Sequence, residues 1–568
     1  MKLHRIKFLA VILILVLLLT PTFSISNTSF IGESQGKSGS VKINIILNSE
    51  LDSFKDITLE SFSDAGFAKR SVLYLKDEMI KRNDYKLDAI SGATISTSAF
   101  IKAVKDAVES NNIKLKKNNY TTSQYKDSKE EIVVVGGGVA GLTAAISASE
   151  AGKSVVLLEK MPFLGGNSVY ATGGINLCNT PLQEKNNIKD SIDLYYNDTL
   201  TGGHNINNKD LVHTLANMSL NNYNWLTDNI SCELEDLGML AGASVKRAHR
   251  PKGGYAIGDY LFSKLYEKAS TLPIDIRIEN KLDSVKTLNN GFDLTIKSND
   301  YSYNITCDKL ILATGGFGAN NSLIKELNPD LKDYSTTNHP GATGDAISWA
   351  KENNWGLRDL KEIQIHPTVT ISSGTMITEA VRGNGAILVN KEAQRFVDEL
   401  NTRDVVSKAI IAQSEQKAYL IFDQNIYDSL GAIINYDKSG LLVSGDTLVD
   451  LAHSLKINPI ELSSQLDIYN RSVKFDWDPY FKRKNLPAEI SKAPFYGVCI
   501  SPAIHHTMGG LIIDSSGHVL TLEGKIVKNL YACGEVTGGL HGGNRLGGNA
   551  MADGVCFGRI AGNTAATE

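Results

Sequence analysis

A short apolar run followed by a glycine-rich turn sets the fold class of this chain: Glu131-Ile132-Val133-Val134-Val135-Gly136-Gly137-Gly138-Val139-Ala140-Gly141. The apolar run is typical of a strand buried in a parallel sheet. A helical pattern continues through Ala148. Glycines let the backbone approach a pyrophosphate, and the N-terminus of the following helix favours the phosphate charge. The stretch therefore predicts the strand, turn and helix that open a nucleotide-binding, Rossmann-like α/β domain.

A second strand and an acidic residue support this interpretation. Val155-Val156-Leu157-Leu158 is the next predicted strand, and it leads into Glu159, which lies 23 residues after Gly136. An acid at about this spacing holds the ribose of a bound dinucleotide. A glycine motif alone would be weak evidence, but here the strand, helix, second strand and acid agree. The sequence therefore predicts a dinucleotide site.

Two later segments favour FAD over NAD as that dinucleotide. Leu310-Ile311-Leu312-Ala313-Thr314-Gly315-Gly316 is a predicted strand entering a glycine turn. Asn529-Leu530-Tyr531-Ala532-Cys533-Gly534-Glu535 is similar to the C-terminal strand of FAD proteins whose acid binds the cofactor. Gly547-Gly548-Asn549-Ala550 then begins a helix whose amide groups can face the isoalloxazine carbonyl. A site for NAD alone would not need this returning C-terminal segment.

Length and composition limit the function classes. The 568 residues are enough for two to four domains, and 42% hydrophobic and 21% charged residues are ordinary for a globular protein. The formal charge of −4 gives no reason to expect nucleic acid as a partner. The six cysteines are scattered without a CxxC or CxxCH spacing. We therefore expect no metal site, no iron–sulfur cluster and no c-type haem.

The N-terminus has the pattern of an export signal over residues 1–26. Three basic residues, Lys2, Arg5 and Lys7, precede an apolar core from Phe8 to Leu19. Small residues before Asn27 offer a cleavage site. The core is shorter than the about 20 residues of a spanning helix, and an uncleaved membrane anchor is the alternative. We expect a secreted or otherwise extracytoplasmic protein.

The segment between the signal and the nucleotide-binding domain predicts a smaller domain. Residues 27–37 are rich in Ser, Gly and Asn and are predicted to be a linker, and residues 112–129 are predicted to be a second one. Between them, residues 38–111 combine an alternating strand pattern at 41–47 with helical stretches. This pattern predicts a small α+β domain.

One run in this small domain carries chemistry: Asp88-Ala89-Ile90-Ser91-Gly92-Ala93-Thr94. It resembles the flavinylation motif Dxx(S/T)GAT, in which the last Thr carries FMN through a phosphoester bond. The structural alternative is a glycine turn before a helix that starts near Ser96. The resemblance implies that residues 38–111 are an FMN-binding domain, that FMN is covalent at Thr94, and that a flavin transferase acts during maturation.

Residues 130–568 resemble the flavoprotein subunit of fumarate reductases and succinate dehydrogenases, and within that family the soluble enzymes of the flavocytochrome c type. The resemblance implies an FAD-binding domain at 130–355 and 500–568, with an inserted α+β capping domain at 356–499. The motifs that carry it are Gln364-Ile365-His366-Pro367-Thr368, Thr378-Glu379-Ala380-Val381-Arg382-Gly383, Thr402-Arg403-Asp404, His505-His506-Thr507-Met508-Gly509-Gly510 and Asn544-Arg545-Leu546-Gly547-Gly548-Asn549. The FAD contacts that it implies are Gly136, Gly138, Ala140, Gly141, Glu159, Lys160, Asn167, Gly174, Gly315, Glu535 and Asn549.

The family resemblance also implies a clamp for a small dianion. Arg545 offers a planar fork that matches a carboxylate, and together with His505 it would hold one carboxylate. His366 and Thr378 would hold the other from the capping domain. Each histidine alone would more simply be a structural residue, but each lies inside a family motif.

The resemblance assigns proton delivery to three further residues. Arg403 would protonate the substrate, and Glu379 and Arg382 would pass protons on to it. Glu379 would also line the substrate site. An arginine is an awkward acid because its pKa exceeds about 12, so this role depends on the family and not on intrinsic acidity. The alternative is a structural ion-pair network.

Two departures from the family refine the prediction. Asn167 stands where membrane-bound members place the His that bonds FAD covalently, so FAD should be non-covalent. The haem domain of flavocytochromes has no counterpart, and the FMN domain would replace it as the electron inlet.

The resemblance therefore implies an extracytoplasmic fumarate reductase that receives electrons from a membrane or extracellular donor. They would pass from covalent FMN to FAD, and then as a hydride from FAD N5 to fumarate, giving succinate. A reductase of urocanate, acrylate, methacrylate or cinnamate is the alternative. These substrates lack a second carboxylate, so such enzymes should alter the His366 and Thr378 side. A surface electron shuttle without its own catalysis is a third hypothesis.

Overall fold

The computed structural model describes residues 28–36, 39–62, 64, 66–90, 93–118, 124–298, 301–332, 334–371 and 374–568. The predicted signal peptide lies outside these residues, as do Ser91 and Gly92 of the flavinylation motif. Within the described residues, no helix combines the length and apolar character needed to cross a bilayer. The chain divides into two compact units: residues 1–64 with 68–122, and residues 65–67 with 123–568.

The first unit contains an antiparallel sheet in the order β1-β2-β3. One face of β2 supplies the apolar core, because its buried side chains alternate with partly exposed ones along the strand. This arrangement agrees with the small α+β fold predicted for this segment. The elements are β1 (Ser29–Gln35), β2 (Ser40–Leu47), β3 (Phe54–Ser61), α1 (Gly66–Arg82), which belongs to this unit from residue 68 onward, and α2 (Thr94–Ser110).

The prediction that residues 27–37 form a linker is wrong. Ser29–Gln35 is strand β1, which pairs with β2 along its whole length. A β-carbon added to Gly32 would lie 2.0 Å from the carbonyl oxygen of Ala103 in α2. Glycine at this position therefore allows the helix to pack directly on the strand. The polar sequence of an edge strand resembles a linker, and only pairing and helix packing distinguish the two.

The second unit contains the rest of the described helices and strands. Its strands are β4 (Ser128–Val135), β5 (Val155–Leu158), β6 (Ile175–Asn176), β7 (Asp236–Gly238), β8 (Ala248–Arg250), β9 (Ile274–Arg277), β10 (Lys281–Thr287), β11 (Phe292–Ser298), β12 (Tyr301–Leu312), β13 (Leu357–Arg358), β14 (Ile363–Thr370), β15 (Ile387–Val389), β16 (Ala418–Asp423), β17 (Val443–Gly445), β18 (Phe495–Thr507), β19 (Gly510–Ile512), β20 (His518–Leu520), β21 (Ile526–Ala532) and β22 (Thr537–Gly538). Its α-helices are α3 (Val139–Glu150), α4 (Pro181–Lys185), α5 (Ile192–Gly202), α6 (Lys209–Asn217), α7 (Ser219–Asn224), α8 (Ile257–Ala269), α9 (Asn321–Leu327), α10 (Asp345–Asn353), α11 (Glu379–Gly383), α12 (Arg403–Ile411), α13 (Gln424–Asp428), α14 (Gly431–Lys438), α15 (Leu448–Leu455), α16 (Pro459–Phe475) and α17 (Asn549–Thr567).

The main sheet has the order β10-β11-β12-β4-β5-β9, with β21 added beside β12 and β20 beside β21. Strands β12, β4, β5 and β9 run parallel, as does β21 with β12, whereas β10 and β11 pair antiparallel. The sheet confirms the predicted Rossmann-like α/β fold. Its parallel strands are buried on both faces, which explains the continuous apolar run before Gly136.

The C-terminal helix α17 packs along α3 through a row of glycines. Added β-carbons would lie 2.7 Å from the Ala140 carbonyl at Gly558 and 2.3 Å from the Ala144 carbonyl at Gly562. The row continues at Gly554, where an added β-carbon would lie 3.5 Å from the backbone nitrogen of Ala140, next to the glycine-rich turn. The returning C-terminal segment is therefore part of the nucleotide-binding architecture.

A second, antiparallel sheet has the order β14-β18-β16-β15, with β17 beside β18. Its core is separate from that of the main sheet. Strand β14 carries Gln364 and His366, and β18 carries His505. The division of this unit into an FAD-binding domain and a capping domain stays a prediction.

Candidate active site

The glycine-rich turn leads from β4 into α3, and Gly136, Gly138, Ala140 and Gly141 all lie on it or on the first turn of the helix. Gly136 has a φ of +111°, and an added β-carbon would lie 2.2 Å from the Ala313 carbonyl. Only glycine fits both the conformation and this contact. The backbone is therefore free of side chains where a pyrophosphate would approach.

Glu159 lies directly after β5 and faces this turn. Its Oε2 accepts from the Gly137 N–H and its Oε1 from the Met161 N–H, each at 2.8 Å. Burial raises the pKa of Glu159. Lys160, in contrast, donates to Asp345 at 2.8 Å and to Thr343 at 2.6 Å. Its ammonium group is therefore already paired with a carboxylate of the protein.

Thr314 and Gly315, which follow strand β12, leave a polar group and open space for a ligand. The hydroxyl of Thr314 is buried without a hydrogen-bond partner among the described residues. Next to it, Gly315 has a φ of +74° and open space where a β-carbon would be. Gly174 has no such space, because an added β-carbon would lie 2.9 Å from the Ala248 side chain. Gly174 therefore marks a close packing contact.

Asn167 and Glu535 lie together beside these glycines. Asn167 donates from Nδ2 to Asn338 at 2.7 Å and to Glu535 Oε2 at 3.3 Å, and its Oδ1 accepts from the His339 N–H. Burial raises the pKa of Glu535, although hydrogen bonds from Thr507 and Asn167 oppose the shift. The Asn167 side chain is thus an amide held in a fixed orientation.

Asn549 begins α17 and is fully buried. Its Oδ1 accepts from Asn176 at 2.7 Å and from the Tyr195 hydroxyl at 3.0 Å, and its Nδ2 donates to Thr199 at 3.2 Å. These bonds hold the first turn of the helix in place.

The polar residues of the predicted clamp and proton relay converge on Arg403, the first residue of α12. Its Nε donates to Glu379 Oε2 at 2.7 Å, and its Nη1 donates to Gln364 Oε1 at 3.0 Å. The amide of Gln364 in turn donates to the carbonyl of Arg545 at 2.7 Å and to Asn544 at 2.8 Å. Gln364 therefore joins the predicted proton donor to the predicted substrate-binding arginine. Gln364 lies within a family motif, but no local pattern indicates this linking role.

Arg545 is buried, and part of its fork is available for a ligand. Its Nη1 donates to the Leu546 carbonyl at 3.0 Å, while its Nε has no partner within the described part of the chain. Burial, and next the charge of Arg403, lower the pKa of Arg545 to about 9. A nearby anion would stabilise the charged form of Arg545 and raise this pKa.

The rings of His366 and His505 make an edge-to-face contact, with centroids 5.0 Å apart at an interplanar angle of 65°. Burial and the charges of nearby arginines hold the pKa of both rings well below the usual value, so both are neutral at physiological pH. The Nδ1 of His366 accepts from the Thr368 N–H at 3.3 Å. Its proton is therefore on Nε2, which has no partner among the described residues. The Nδ1 of His505 lies 2.8 Å from the Thr337 hydroxyl.

The short helix α11 presents the remaining predicted residues. Thr378 caps its N-terminus, with the side-chain oxygen accepting from the Ala380 N–H at 3.4 Å. Glu379 follows, and its Oε1 accepts from the Ala241 N–H at 2.7 Å. Burial alone would raise the pKa of Glu379, but the charges of Arg403 and Arg382 outweigh burial and lower it. Glu379 is therefore an ionised carboxylate between two arginines.

Behind α11 lies a buried ionic cluster that no sequence motif indicates. Glu399 pairs with Arg395 at 2.8 Å and with Arg483 at 3.1 Å, and Arg395 also pairs with Asp478 at 3.0 Å. Arg382 joins the cluster by donating to the carbonyl of Glu399 at 2.5 Å. The five charged residues of this cluster come from three separate segments of the chain, so only the tertiary structure brings them together.

Thr94 is the first residue of α2 and is exposed, in the smaller unit. Its hydroxyl lies 3.5 Å from the Ile90 carbonyl. Ser96 donates to the buried carboxylate of Asp64 at 2.5 Å. The helix begins two residues before the predicted start.

Comparison with known proteins identifies this arrangement. A family profile described as "FAD binding domain" matches residues 131–551, and one described as "FMN-binding domain" matches residues 15–109. The fumarate reductase (cytochrome) of Shewanella frigidimarina is 43% identical over 439 residues, which are 77% of this chain and 77% of that protein. The chain belongs to the fumarate reductase flavoprotein family. FAD and FMN are therefore its cofactors.

Other relatives show the range of this fumarate reductase family. The urocanate reductase of Eggerthella lenta is 31% identical and covers 94% of this chain and 91% of its own. A solved structure, the open conformation of a flavocytochrome c3 fumarate reductase, superposes with a TM-score of 0.66 at 37% identity. It covers 80% of this chain and 83% of that chain.

The residues present fit FAD in the family manner. The unpartnered Thr314 hydroxyl and the open space at Gly315 can receive polar cofactor atoms. Glu159 and Glu535 are buried carboxylates with raised pKa values, and hydroxyl donors of a cofactor would stabilise their charged forms. FAD, when bound and reduced, supplies a hydride equivalent.

Proposed function

We propose that this chain is an extracytoplasmic fumarate reductase that converts fumarate to succinate. Hydride addition to one alkene carbon and proton addition to the other complete the reduction, and the two carboxylates keep their charges. The chain's own residues would bind the carboxylates, hold the alkene in place and deliver the proton.

One observation carries the proposal: the site concentrates buried positive charge and neutral donors without partners. Arg403, Arg382 and Arg545 all lower the pKa of His366, while Glu379 is the carboxylate that pairs directly with Arg403. The Nε of Arg545 and the Nε2 of His366 have no partner in the described structure. Unpaired buried donors are costly, and a dianion would satisfy them at both ends.

Charge complementarity supports fumarate over a monocarboxylate. Arg545 and His505 would hold one carboxylate, and His366 and Thr378 the other. A substrate with one carboxylate would leave one of these two sets unpaired in a buried site. The presence of both sets favours a four-carbon dicarboxylate.

Arg403 is the proposed proton donor. Its bonds to Glu379 and Gln364 fix its guanidinium plane. Loss of a proton from Arg403 would be followed by transfer from the Glu379 and Arg382 side. The buried ion pair thus provides both the orientation and the return path for the proton.

The remaining parts of the proposal concern electron supply and location. FMN attached at Thr94 would accept electrons from a membrane or extracellular donor, after a flavin transferase has attached it. FAD would be bound non-covalently. Residues 1–26 would direct the chain across the cytoplasmic membrane, and their retention as an anchor is the alternative.

The test is reoxidation of the reduced holoenzyme. Enzyme reduced with dithionite or a viologen is mixed with fumarate, urocanate, acrylate, methacrylate or cinnamate, and flavin absorbance is followed. We expect fumarate to give the highest kcat/KM and succinate as product. Faster reoxidation by a monocarboxylate would overturn the assignment, and no reoxidation by any of them would favour an electron shuttle.

A reductase of urocanate is the second candidate. The observation in its favour is the urocanate reductase relative, which matches 94% of this chain and therefore includes the FMN-binding region. The reoxidation experiment decides between the two substrates.

A further inference from the structure

Arg483 lies outside the clamp and relay but holds the helix that carries part of both. Its Nη2 donates to the carbonyl of Arg382 at 2.6 Å, and its Nη1 donates to the carbonyl of Ala386 at 3.0 Å. Asn485, two residues later, donates to the carbonyl of Gly383 at 2.9 Å. The carbonyls of Arg382 and Gly383, the last two residues of α11, therefore accept hydrogen bonds from side chains of one distant segment.

Arg483 is itself fixed by the buried ionic cluster. Its Nη1 also contacts Glu399 Oε2 at 3.1 Å, and its Nε donates to the Asn485 carbonyl at 2.9 Å. Its side chain is fully buried. Since Glu399 also accepts from Arg382 through its backbone carbonyl, the two arginines share one anchoring residue.

We propose that Arg483 is a positioning residue for proton delivery. It holds α11 so that Glu379 and Arg382 stay aligned with Arg403, and its charge favours proton release from Arg382. The inference rests on the proposed function, because it assigns a role within that reaction.

The electrostatic surroundings of Arg382 support the second half of this proposal. Burial lowers the pKa of Arg382 to about 10, and the charges of Arg403 and Arg483 add to that effect. Glu379 and Glu399 oppose it. The Nε and Nη2 of Arg382 have no partner among the described residues, so no direct hydrogen bond holds a proton on these atoms.

The experiment compares two pairs of variants in the reconstituted holoenzyme. Arg483→Gln removes the charge and the fork, whereas Arg483→Lys keeps the charge. Arg395→Gln and Arg395→Lys are the matched controls, because Arg395 pairs with Glu399 in the same buried cluster but donates to no carbonyl of α11. Melting temperature, KM, and kcat between pH 6 and pH 10.5 are measured for each variant.

We expect the Arg483 and Arg395 variants to lose similar amounts of thermal stability. Only Arg483→Gln should lower kcat at least tenfold, with KM within threefold of wild type. We expect kcat of the wild-type enzyme to fall at alkaline pH as Arg382 loses its proton. The midpoint of this fall should lie at higher pH in Arg483→Gln, because Arg382 loses a cationic neighbour. Arg483→Lys should restore that midpoint and part of kcat.

Equal loss of kcat in the Arg483 and Arg395 variants would overturn the proposal, as would kcat within twofold of wild type in Arg483→Gln. If Arg483→Gln does not fold, Arg483→Lys is compared with Arg395→Lys, and equal kcat in these two variants overturns the proposal. If fumarate is not the substrate, the wild-type enzyme will reduce another enoate instead, and this result is independent of the Arg483 variants. The kcat of each variant relative to wild type is then measured with that enoate.

Discussion

Arg403 donates from Nε to Oε2 of Glu379 over 2.7 Å, and both side chains are buried. Breaking a buried pair leaves an uncompensated charge and costs about 3–5 kcal/mol of stability. Here the second partner of Arg403, Gln364, is neutral. The pair therefore orients Arg403 without neutralising the whole site, and positive charge remains for a substrate.

Replacing Arg403 separates proton delivery from binding. In Arg403→Ala, reduction of both flavins by an artificial donor should be unchanged, and a non-reducible dicarboxylate should still bind. Turnover should be almost abolished, because no other side chain is assigned to protonate the substrate carbon. Arg403→Lys should keep a trace at most, since an ammonium group cannot reproduce the two bonds to Glu379 and Gln364. Steady-state assays with reduced viologen measure this, and near wild-type turnover in Arg403→Ala would contradict the assignment.

Replacing Arg545 should act mainly on binding. Loss of a charge-assisted hydrogen bond costs about 1.5–3 kcal/mol, so Arg545→Ala should weaken fumarate binding at least about tenfold. Turnover can also fall, because the same fork orients the alkene. Flavin difference spectra titrated with a dicarboxylate give the dissociation constant. An unchanged constant would place the first carboxylate elsewhere.

Removing the Thr94 hydroxyl should remove one flavin. When a flavin transferase is present during expression, denatured wild-type protein should retain fluorescent FMN and Thr94→Ala should not. Ser98→Ala is the matched control, since Ser98 is an exposed hydroxyl residue one helical turn further along α2. Small artificial donors that reach FAD should still drive catalysis in Thr94→Ala. If that variant retained fluorescent FMN after denaturation, FMN would be attached to another residue.

FAD should leave the protein on denaturation. Asn167 is an amide held by Asn338, His339 and Glu535, and it has no nucleophilic atom for a flavin bond. Acid precipitation should leave FAD in the supernatant and FMN in the pellet, as identified by chromatography. Two flavins in the pellet would contradict this.

Stability should fall as pH drops below about 6.5, the unfolded pKa of histidine. Burial holds the pKa of a set of histidines below that value, so the unfolded chain binds more protons than the folded one. Each can remove up to about 1.4 kcal/mol per pH unit. The set is His249, whose pKa is about 4, together with His366, His505, His506 and His541.

His518 has the opposite shift and a different pH window. Burial alone would lower its pKa, but hydrogen bonds to Glu568 and Asp514 outweigh burial and raise it. Its contribution is fully present below pH 6.5 and is lost only at higher pH. Urea unfolding followed by tryptophan fluorescence should therefore give a smaller unfolding free energy at pH 5.5 than at pH 6.5. An equal or larger value at pH 5.5 would contradict this prediction.

Local patterns in the sequence were sufficient for much of the fold. The apolar run before Gly136, the glycine turn and the strand before Glu159 each have a periodicity or composition that one segment displays alone. They occur in the structure as β4, the turn into α3, and β5. Strand β1 was missed because Ser29–Gln35 gains its stability from pairing with β2 and from packing against α2.

The motifs of the site were recognisable for the same reason, since each lies within a few consecutive residues. The hydrogen bonds that connect one motif to another were not recognisable from the sequence. Gln364 contacts Arg403 and Arg545 across 39 and 181 positions of the chain, and Arg483 reaches Arg382 across 101. Local composition and spacing report which groups are available, because these depend on neighbours in the chain. Burial, partner choice and the resulting pKa shifts depend on neighbours in space, so only the tertiary structure decides them.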